Sequence, residues 1–114
     1  MLQKENRLTK RKAFNFVYKK GTSTGGKYLT MVVVPTKLKE PKFGFSISKK
    51  IGKAHLRNLL KRRLREIVKE FLPRINPKYN YVFIVKEGAV ELEFLRLKEE
   101  VKYLLTKNDK FLNE

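Results

Sequence analysis

The segment Lys49 to Lys69 constrains the fold more than any other part of the chain, because its apolar residues recur with the period of an α-helix. These apolar positions lie on one helix face: Leu56, Leu60, Leu64, Ile67 and Phe71. At 100° per residue, a polar set falls within an arc of about 140° on the other side: Arg57, Asn58, Lys61, Arg62 and Arg65. The sequence therefore predicts a helix from about Ala54 to Leu72, ended by Pro73, with a core face and a cationic face.

The charge in this segment is unfavourable for a helix with only a structural role. Nine basic residues stand against one acid, Glu66: Lys49, Lys50, Lys53, Arg57, Lys61, Arg62, Arg63, Arg65 and Lys69. Cations near a helix N-terminus cost on the order of 0.3–1 kcal/mol each, because that end of the helix dipole is positive. A polyanion bound there would offset the repulsion and accept hydrogen bonds from free N–H groups. The segment is predicted to bind a polyanion, with a solvated charged face as the alternative.

The composition also indicates an anionic partner. The 114 residues include 28 Lys and Arg against 11 Asp and Glu, a formal net charge of +17. Nucleic acid is the expected partner of such a chain, and a membrane surface is the alternative. No apolar run approaches the roughly 20 residues of a spanning helix or resembles a secretory signal. Since cysteine is absent, disulfides and thiolate zinc sites are excluded, and we expect a cytoplasmic protein with one domain over residues 1–114.

The rest of the chain shows a mixture of helices and strands. A helix is predicted from Thr9, which can cap it, to Lys20, before Gly21. Two strands follow, which could pair as a hairpin, then the basic helix, a buried strand and a last helix. Their ranges are Lys27–Val34, Lys42–Lys49, Ala54–Leu72, Tyr79–Val85 and Glu91–Lys107. With the small polar residues Thr22–Gly26 as a loop, the order is α-β-β-α-β-α, which indicates one α+β domain.

Residues suited to protein-based catalysis are scarce. A metal-dependent nuclease needs several carboxylates that converge on Mg²⁺. The chain has one Asp, Asp109, and its ten Glu are scattered. Its single histidine, His55, has no evident partner to orient it as a general base. We therefore do not expect the protein alone to catalyse a reaction.

The basic segment resembles the signature of the bacterial ribonuclease P protein subunit. That family's pattern is roughly K-K-x-G-x-A-x-x-R-N-R-x-K-R-x-x-R. The matching residues here are KKIGKA at 49–54, Arg57-Asn58, Lys61-Arg62 and Arg65-Glu66. The family's opening helix and the loop after it have similar residues in this chain: Asn6-Arg7-Leu8, Phe14, Val17, Tyr18, Lys19 and Gly21-Thr22-Ser23. Three residues depart from the family: Leu59 replaces the usual second Arg of R-N-R, Tyr18 an often-found Phe, and Val32 an often-found aromatic residue.

The resemblance implies a fold. Members of the family form a two-layer α/β sandwich like domain 2 of ribosomal protein S5. Its four-stranded sheet has a left-handed β-α-β crossover around the basic helix. A short fourth strand would give the order α-β-β-(β)-α-β-α. Chain physics alone favours the common right-handed crossover.

The resemblance also implies a function. The protein would assist a catalytic RNA in the Mg²⁺-dependent endonucleolytic removal of the 5′ leader from precursor tRNA. The RNA and the Mg²⁺ bound mainly by it would carry out the chemistry, with no metal bound by the protein alone. The catalytic RNA and precursor tRNA would be the partners, without DNA or a membrane. The free protein would be monomeric.

Two sets of site residues follow from the resemblance. Contact with the RNA subunit would involve Lys49, Lys50, Lys53, Arg57, Asn58, Lys61, Arg62 and Arg65. The leader would lie in a cleft between the first helix and the sheet, formed by Phe14, Val17, Tyr18, Tyr28, Thr30 and Val32. Aromatic rings flanked by cations do bind single strands by stacking. The alternative for Phe14 and Tyr18 is a place in the core.

Three other functions are compatible with the charge and the element order. They are a ribosomal or RNA-chaperone protein, a DNA-binding protein that inserts a helix, and a protein-only nuclease. Sequencing of the bound RNA would separate the first from a ribonuclease P subunit. If binding depends only weakly on the sequence of duplex DNA, the DNA-binding protein is excluded. The scarcity of carboxylates disfavours the protein-only nuclease.

Overall fold

The computed structural model describes residues 2–112, which contain three helices and four strands in the order α-β-β-β-α-β-α. The elements are α1 Arg11–Lys20, β1 Thr22–Gly25, β2 Leu29–Pro35, β3 Phe43–Ser46, α2 Ala54–Phe71, β4 Tyr79–Val85 and α3 Phe94–Lys107. This confirms the α+β class. The limits predicted for β4 agree with the structure, and α2 ends one residue before the predicted position.

The four strands form one sheet in the order β1-β2-β4-β3. β1 pairs antiparallel with β2, from Thr22 opposite Val33 to Gly25 opposite Thr30. The fourth strand therefore exists, and the prediction of a loop over Thr22–Gly26 was wrong. An edge strand whose side chains mostly face solvent needs no apolar alternation, so its small polar residues resembled a loop.

The prediction that β2 and β3 pair with each other as a hairpin was also wrong. β4 lies between them, antiparallel to β2 and parallel to β3. The reason is burial: Tyr81, Val82 and Phe83 are consecutive and all fully buried, so β4 needs cover on both faces and takes a central position. β3, α2 and β4 form a parallel β-α-β unit, whose left-handed crossover stays a prediction.

The helices cover both faces of the sheet. On one face, Leu29 and Met31 of β2 pack in the main core, to which α2 contributes Leu60 and Leu64 and α3 contributes Leu97. On the other face, a smaller cluster joins α1 to the sheet, made of Leu8, Val17, Val32, Val34 and Val82. The sheet with α2 and α3 gives the two predicted layers, and α1 covers part of the opposite face.

The ends of α1 show one confirmed and one wrong prediction. Gly21 ends the helix, and its N–H donates to the Val17 carbonyl oxygen at 2.7 Å. Thr9 does not cap it: Lys10 occupies that position, without a capping hydrogen bond from its side chain, and the helix begins at Arg11. The turn after α1 is tight, because a Cβ on Gly21 would lie 2.5 Å from the Val17 oxygen and 2.6 Å from Cγ1 of Val32.

This close approach predicts that Gly21→Ala destabilises the fold. Two of its neighbours are backbone oxygens, which cannot rotate away, so we expect a loss of about 1–3 kcal/mol, as in overpacked sites. Urea denaturation would measure it. Gly25→Ala is the matched control, because a Cβ there would meet only Nζ of Lys86 at 3.9 Å. Equal stabilities of the two variants would contradict the packing described for the α1–β1 turn.

Candidate nucleic-acid interface

The basic segment divides into a turn and a helix. Lys49 and Lys50 lie in a 3₁₀ turn, Lys49–Ile51, and Lys53 stands at the N-cap of α2 without a side-chain capping bond. All three lysine side chains are exposed. The predicted concentration of cations at the N-terminal end of α2 is therefore present, where the helix dipole adds to their positive potential.

The cations within α2 have different surroundings. Asn58 and Arg62 are exposed, whereas Arg57, Lys61 and Arg65 are partly covered along one flank of the helix. Arg57 donates from Nε to the Gly52 carbonyl oxygen at 3.0 Å, so it also holds the turn that precedes the helix. Arg63 lies elsewhere: its Nη1 donates to the Leu92 oxygen at 3.2 Å, near the start of α3. The cationic flank of α2 thus excludes Arg63.

A groove runs between α1, β3 and the cationic flank of α2. It consists of two adjoining hollows of about 340 and 330 Å³, which share Thr9, Phe14 and Phe45. The outer hollow extends to Tyr18. The inner hollow ends at a group of cations, Arg7, Lys61 and Arg65. This "α1 groove" therefore joins aromatic rings at one end to positive charge at the other.

The two α1 aromatic residues have different roles in the groove. Phe14 is half-buried over β3, and it can lie there because residue 44 is glycine: a Cβ on Gly44 would come within 2.6 Å of the Phe14 ring. Tyr18 is 41% exposed, with its ring centroid 6.3 Å from that of Phe14 and the planes tilted by 47°. Phe14 is thus fixed in the groove wall, while Tyr18 presents a ring to solvent.

The N-terminal segment, residues 6–8, holds the cation Arg7 at the inner end of the α1 groove. Asn6 is buried and donates from Nδ2 to the Pro41 oxygen at 2.9 Å, and the Leu8 N–H donates to the Phe43 oxygen at 2.8 Å. Between these two anchors, Arg7 is held beside Arg65. Burial, and then the charge of Arg7, lower the pKa of Arg65 below its usual value. Two guanidinium groups held together favour an anion between them.

Arg7 was not among the predicted site residues. Its signal in the sequence is the Asn6-Arg7-Leu8 motif, in which the flanking residues anchor the segment and the central one reaches the groove.

The four remaining residues predicted for the leader cleft do not line the α1 groove. Val17 and Val32 are 1% and 5% exposed and form the packing beneath α1. Thr30 alternates with Leu29 and Met31 and so belongs to the α1 face of β2. Tyr28 does not: it packs with the main core, on the face covered by α3. The structure therefore does not place Tyr28 in a cleft with Thr30 and Val32, because the strand begins only at Leu29 and its alternation does not extend to Tyr28.

Comparison with known proteins identifies the family. The profile of the family described as Ribonuclease P matches residues 2–109. The chain belongs to the ribonuclease P protein family. The ribonuclease P protein component of Picosynechococcus sp. (strain PCC 7002) is 36% identical over 111 residues, which is 96% of each chain.

Solved structures of ribonuclease P proteins share the fold. The Staphylococcus aureus protein superposes with a TM-score of 0.87 at 28% identity, and covers 93% of this chain and 97% of its own. The Thermotoga maritima protein has a TM-score of 0.81 at 28% identity, with 89% and 96% covered. Membership of the family implies a role in ribonuclease P, the endoribonuclease that processes the 5′ end of tRNA, and thus an RNA partner.

Among residues 2–112, no three His, Cys, Asp or Glu lie together in a way that could hold a metal ion. None of the helices in that range is long and apolar enough to cross a membrane. Leu59, where ribonuclease P proteins usually have Arg, is exposed on α2, so a cation is missing from that point of the surface.

Because Arg65 lies on the cationic flank of α2 and Arg63 does not, we predict that their replacement has unequal effects on RNA affinity. Arg65→Ala should weaken binding to the ribonuclease P RNA, and the slope of log K against log salt should become shallower by roughly 0.7–0.9, because one phosphate contact is lost. Arg63→Ala should leave the slope unchanged, since Arg63 contacts Leu92 instead. Filter binding at several salt concentrations measures both, with thermal melts to verify folding. Equal changes of slope would show that the cationic flank is wrongly assigned.

Proposed function

We propose that this protein is the RNA-binding subunit of ribonuclease P and that it holds both the catalytic RNA and the 5′ leader of precursor tRNA. The α1 groove is the observation that carries the proposal. It brings the rings of Phe14 and Tyr18 into one channel with Lys61 and Arg65. A single strand needs this combination, because its bases stack on aromatic faces while its phosphates contact cations.

The basic segment is proposed to contact the RNA subunit. Its cations surround the N-terminal end of α2, where their charge is unfavourable until an anion binds. The residues proposed for this contact are Lys49, Lys50, Lys53, Arg57, Asn58, Lys61, Arg62 and Arg65. Because Lys61 and Arg65 also line the α1 groove, the RNA subunit and the leader would meet along one helix.

The leader is proposed to enter the α1 groove as an unpaired strand. Tyr18 offers an open ring at the outer end, Phe14 lies in the wall, and Arg7 and Arg65 attract a phosphate at the inner end. Val17 and Val32 support the groove from beneath rather than touching the strand. Thr30 lies on the same face, and Tyr28 is no longer part of the proposed cleft.

Chemistry is proposed to belong to the RNA subunit. Mg²⁺ would be held mainly by that RNA, which supplies the Lewis acid for endonucleolytic cleavage. The chain's single Asp and scattered Glu support this division. In this proposal the protein positions the substrate, works in the cytoplasm, and is a monomer before it meets the RNA.

Reconstitution tests whether catalysis is RNA-borne. The protein, freed of RNA, should leave precursor tRNA intact at every Mg²⁺ concentration. Added to the matching ribonuclease P RNA, it should lower the Mg²⁺ concentration needed for cleavage, because its cations reduce repulsion between RNA subunit and substrate. The assay follows release of the leader on a denaturing gel. Cleavage by RNA-free protein would refute the proposal.

Leader recognition should depend on the exposed ring of Tyr18. Stacking is worth about 1–3 kcal/mol per base on alanine substitution, so Tyr18→Ala should weaken holoenzyme binding of precursor tRNA by a factor of about 5 to 150. Binding of mature tRNA, which has no leader, should hardly change. The measurement is the ratio of the two affinities.

Tyr18→Phe is the matched control for this prediction, because it retains the stacking face and should keep the ratio near that of the unaltered protein. Phe14→Ala is a poorer probe, since Phe14 packs over Gly44 and its loss would open a cavity. An unchanged ratio in folded Tyr18→Ala would exclude this ring from leader binding.

A further inference from the structure

A further hollow lies beside α3, at the β1 edge of the sheet, whereas the α1 groove lies at the opposite, β3 edge. Its volume is about 670 Å³. It lies between the β1–β2 turn, which contributes Gly25, Gly26 and Lys27, and α3, which contributes Arg96 and Tyr103. A neighbouring depression of about 540 Å³ continues it along the helix past Tyr103 to Lys107. We call the two together the α3 surface. Neither hollow is used by the function proposed above.

Aromatic rings on the α3 surface are flanked by cations. Tyr103 is 51% exposed, and Nζ of Lys107 lies 5.5 Å from its ring centroid. Two of the lining cations also contact Tyr28, a partly buried ring that does not itself line the hollow: Nζ of Lys27 lies 5.4 Å and Cζ of Arg96 5.5 Å from its ring centroid. An open ring with cations around it is the arrangement that binds unpaired bases, with stacking from the ring and phosphate contacts from the cations.

The turn that forms one wall of this hollow is fixed in place. Oε2 of the buried Glu100 accepts hydrogen bonds from the N–H groups of Tyr28 and Leu29, at 2.6 and 3.2 Å. Nζ of Lys86 donates to the Gly26 oxygen at 2.6 Å. Gly26 permits this approach, because a Cβ there would lie 2.7 Å from Oε2 of Glu100. A ligand would therefore meet a preorganised wall and would not have to order it.

The charge of the α3 surface favours an anion. Four cations line it, Lys27, Arg96, Lys102 and Lys107, against the carboxylates of Glu99 and Glu100. The Glu100 carboxylate is buried and already engaged by two backbone N–H groups, so Glu99 is the acid that faces a ligand. Positive charge beside an open aromatic ring fits a single-stranded nucleic acid better than a duplex, whose bases are already stacked.

We propose that the α3 surface is a second binding site for single-stranded RNA, with Tyr103 as its stacking residue. It is separate from the proposed leader site, because the β1–β2 turn and β3, which line the two sites, lie at opposite edges of the sheet. An unpaired segment of a bound RNA can then contact the protein on the side away from the α1 groove.

The test uses the full chain without the RNA subunit, so that its outcome does not depend on leader cleavage. The ligand is a labelled hexauridylate with one 4-thiouridine. The parent protein carries Tyr18→Ala, which weakens the α1 groove. Tyr103→Ala in this parent should lower the remaining affinity about 5-fold or more, because one stacked base is lost. Tyr103→Phe, which keeps the ring face, should stay within about 2-fold of the parent. Photocrosslinking of the parent should label the peptide that contains Tyr103.

A second variant tests the role of positive charge independently of stacking. Lys107→Gln should weaken oligonucleotide binding and make the salt slope shallower. Lys37→Gln, in the exposed loop at the opposite end of β2, should do neither. The proposal is overturned if folded Tyr103→Ala binds as tightly as its parent, if Tyr103→Phe loses as much as Tyr103→Ala, or if the crosslink maps away from α3.

Discussion

Burial of both faces of β4 is the constraint on which the rest of the structure depends. The strand pairs with β2 on one edge and β3 on the other, and its residues Tyr81 to Phe83 are fully buried. Even the hydroxyl of Tyr81 is satisfied internally, since it donates to the Asn76 oxygen at 2.6 Å, and burial raises its pKa. Such a strand needs apolar cover above and below, which α1 provides on one face and α2 with α3 on the other.

The same arrangement gives the molecule two cationic surfaces rather than one. α2 links the core to the first of them, because its leucines pack under the sheet while Lys61 and Arg65 border the α1 groove. Burial, and then the neighbouring charge of Arg7, lower the pKa of Arg65. An anion bound between the two guanidinium groups would offset their repulsion, and a ligand that binds only the folded state stabilises it. The positive charge of the protein and the anion that binds it therefore both affect the equilibrium between the folded and unfolded states.

The sequence predicted best the elements whose own periodicity is strong. α2 has a five-residue apolar face and a proline after its end, and β4 is a run of apolar residues interrupted only by Asn80, so both were located to within a residue. β1 was missed because an exposed edge strand has no apolar pattern. The hairpin of β2 with β3 was wrong because strand order depends on which strand needs burial on both faces, and this is a property of the whole sheet.

For the site, the aromatic and basic residues were predicted from the family motif, and the structure brings Phe14, Tyr18, Lys61 and Arg65 into one groove. Arg7 was missed, and the structure does not place Tyr28 in the cleft. Both differences concern long-range placement: Arg7 reaches the groove through an anchor at Pro41, and Tyr28 is turned away by a carboxylate 72 residues further along the chain.

The position of β4 in the chain also determines when the protein can fold during its synthesis. β2 and β3 have no common partner until the ribosome has made Tyr79–Val85, the strand that lies between them. Before then the nascent chain contains the whole basic segment but lacks the strand that joins β2 to β3 in one sheet. That strand is complete only at Val85, after about three quarters of the 114 residues, so the residues proposed to contact RNA are synthesised before the sheet that positions them can form.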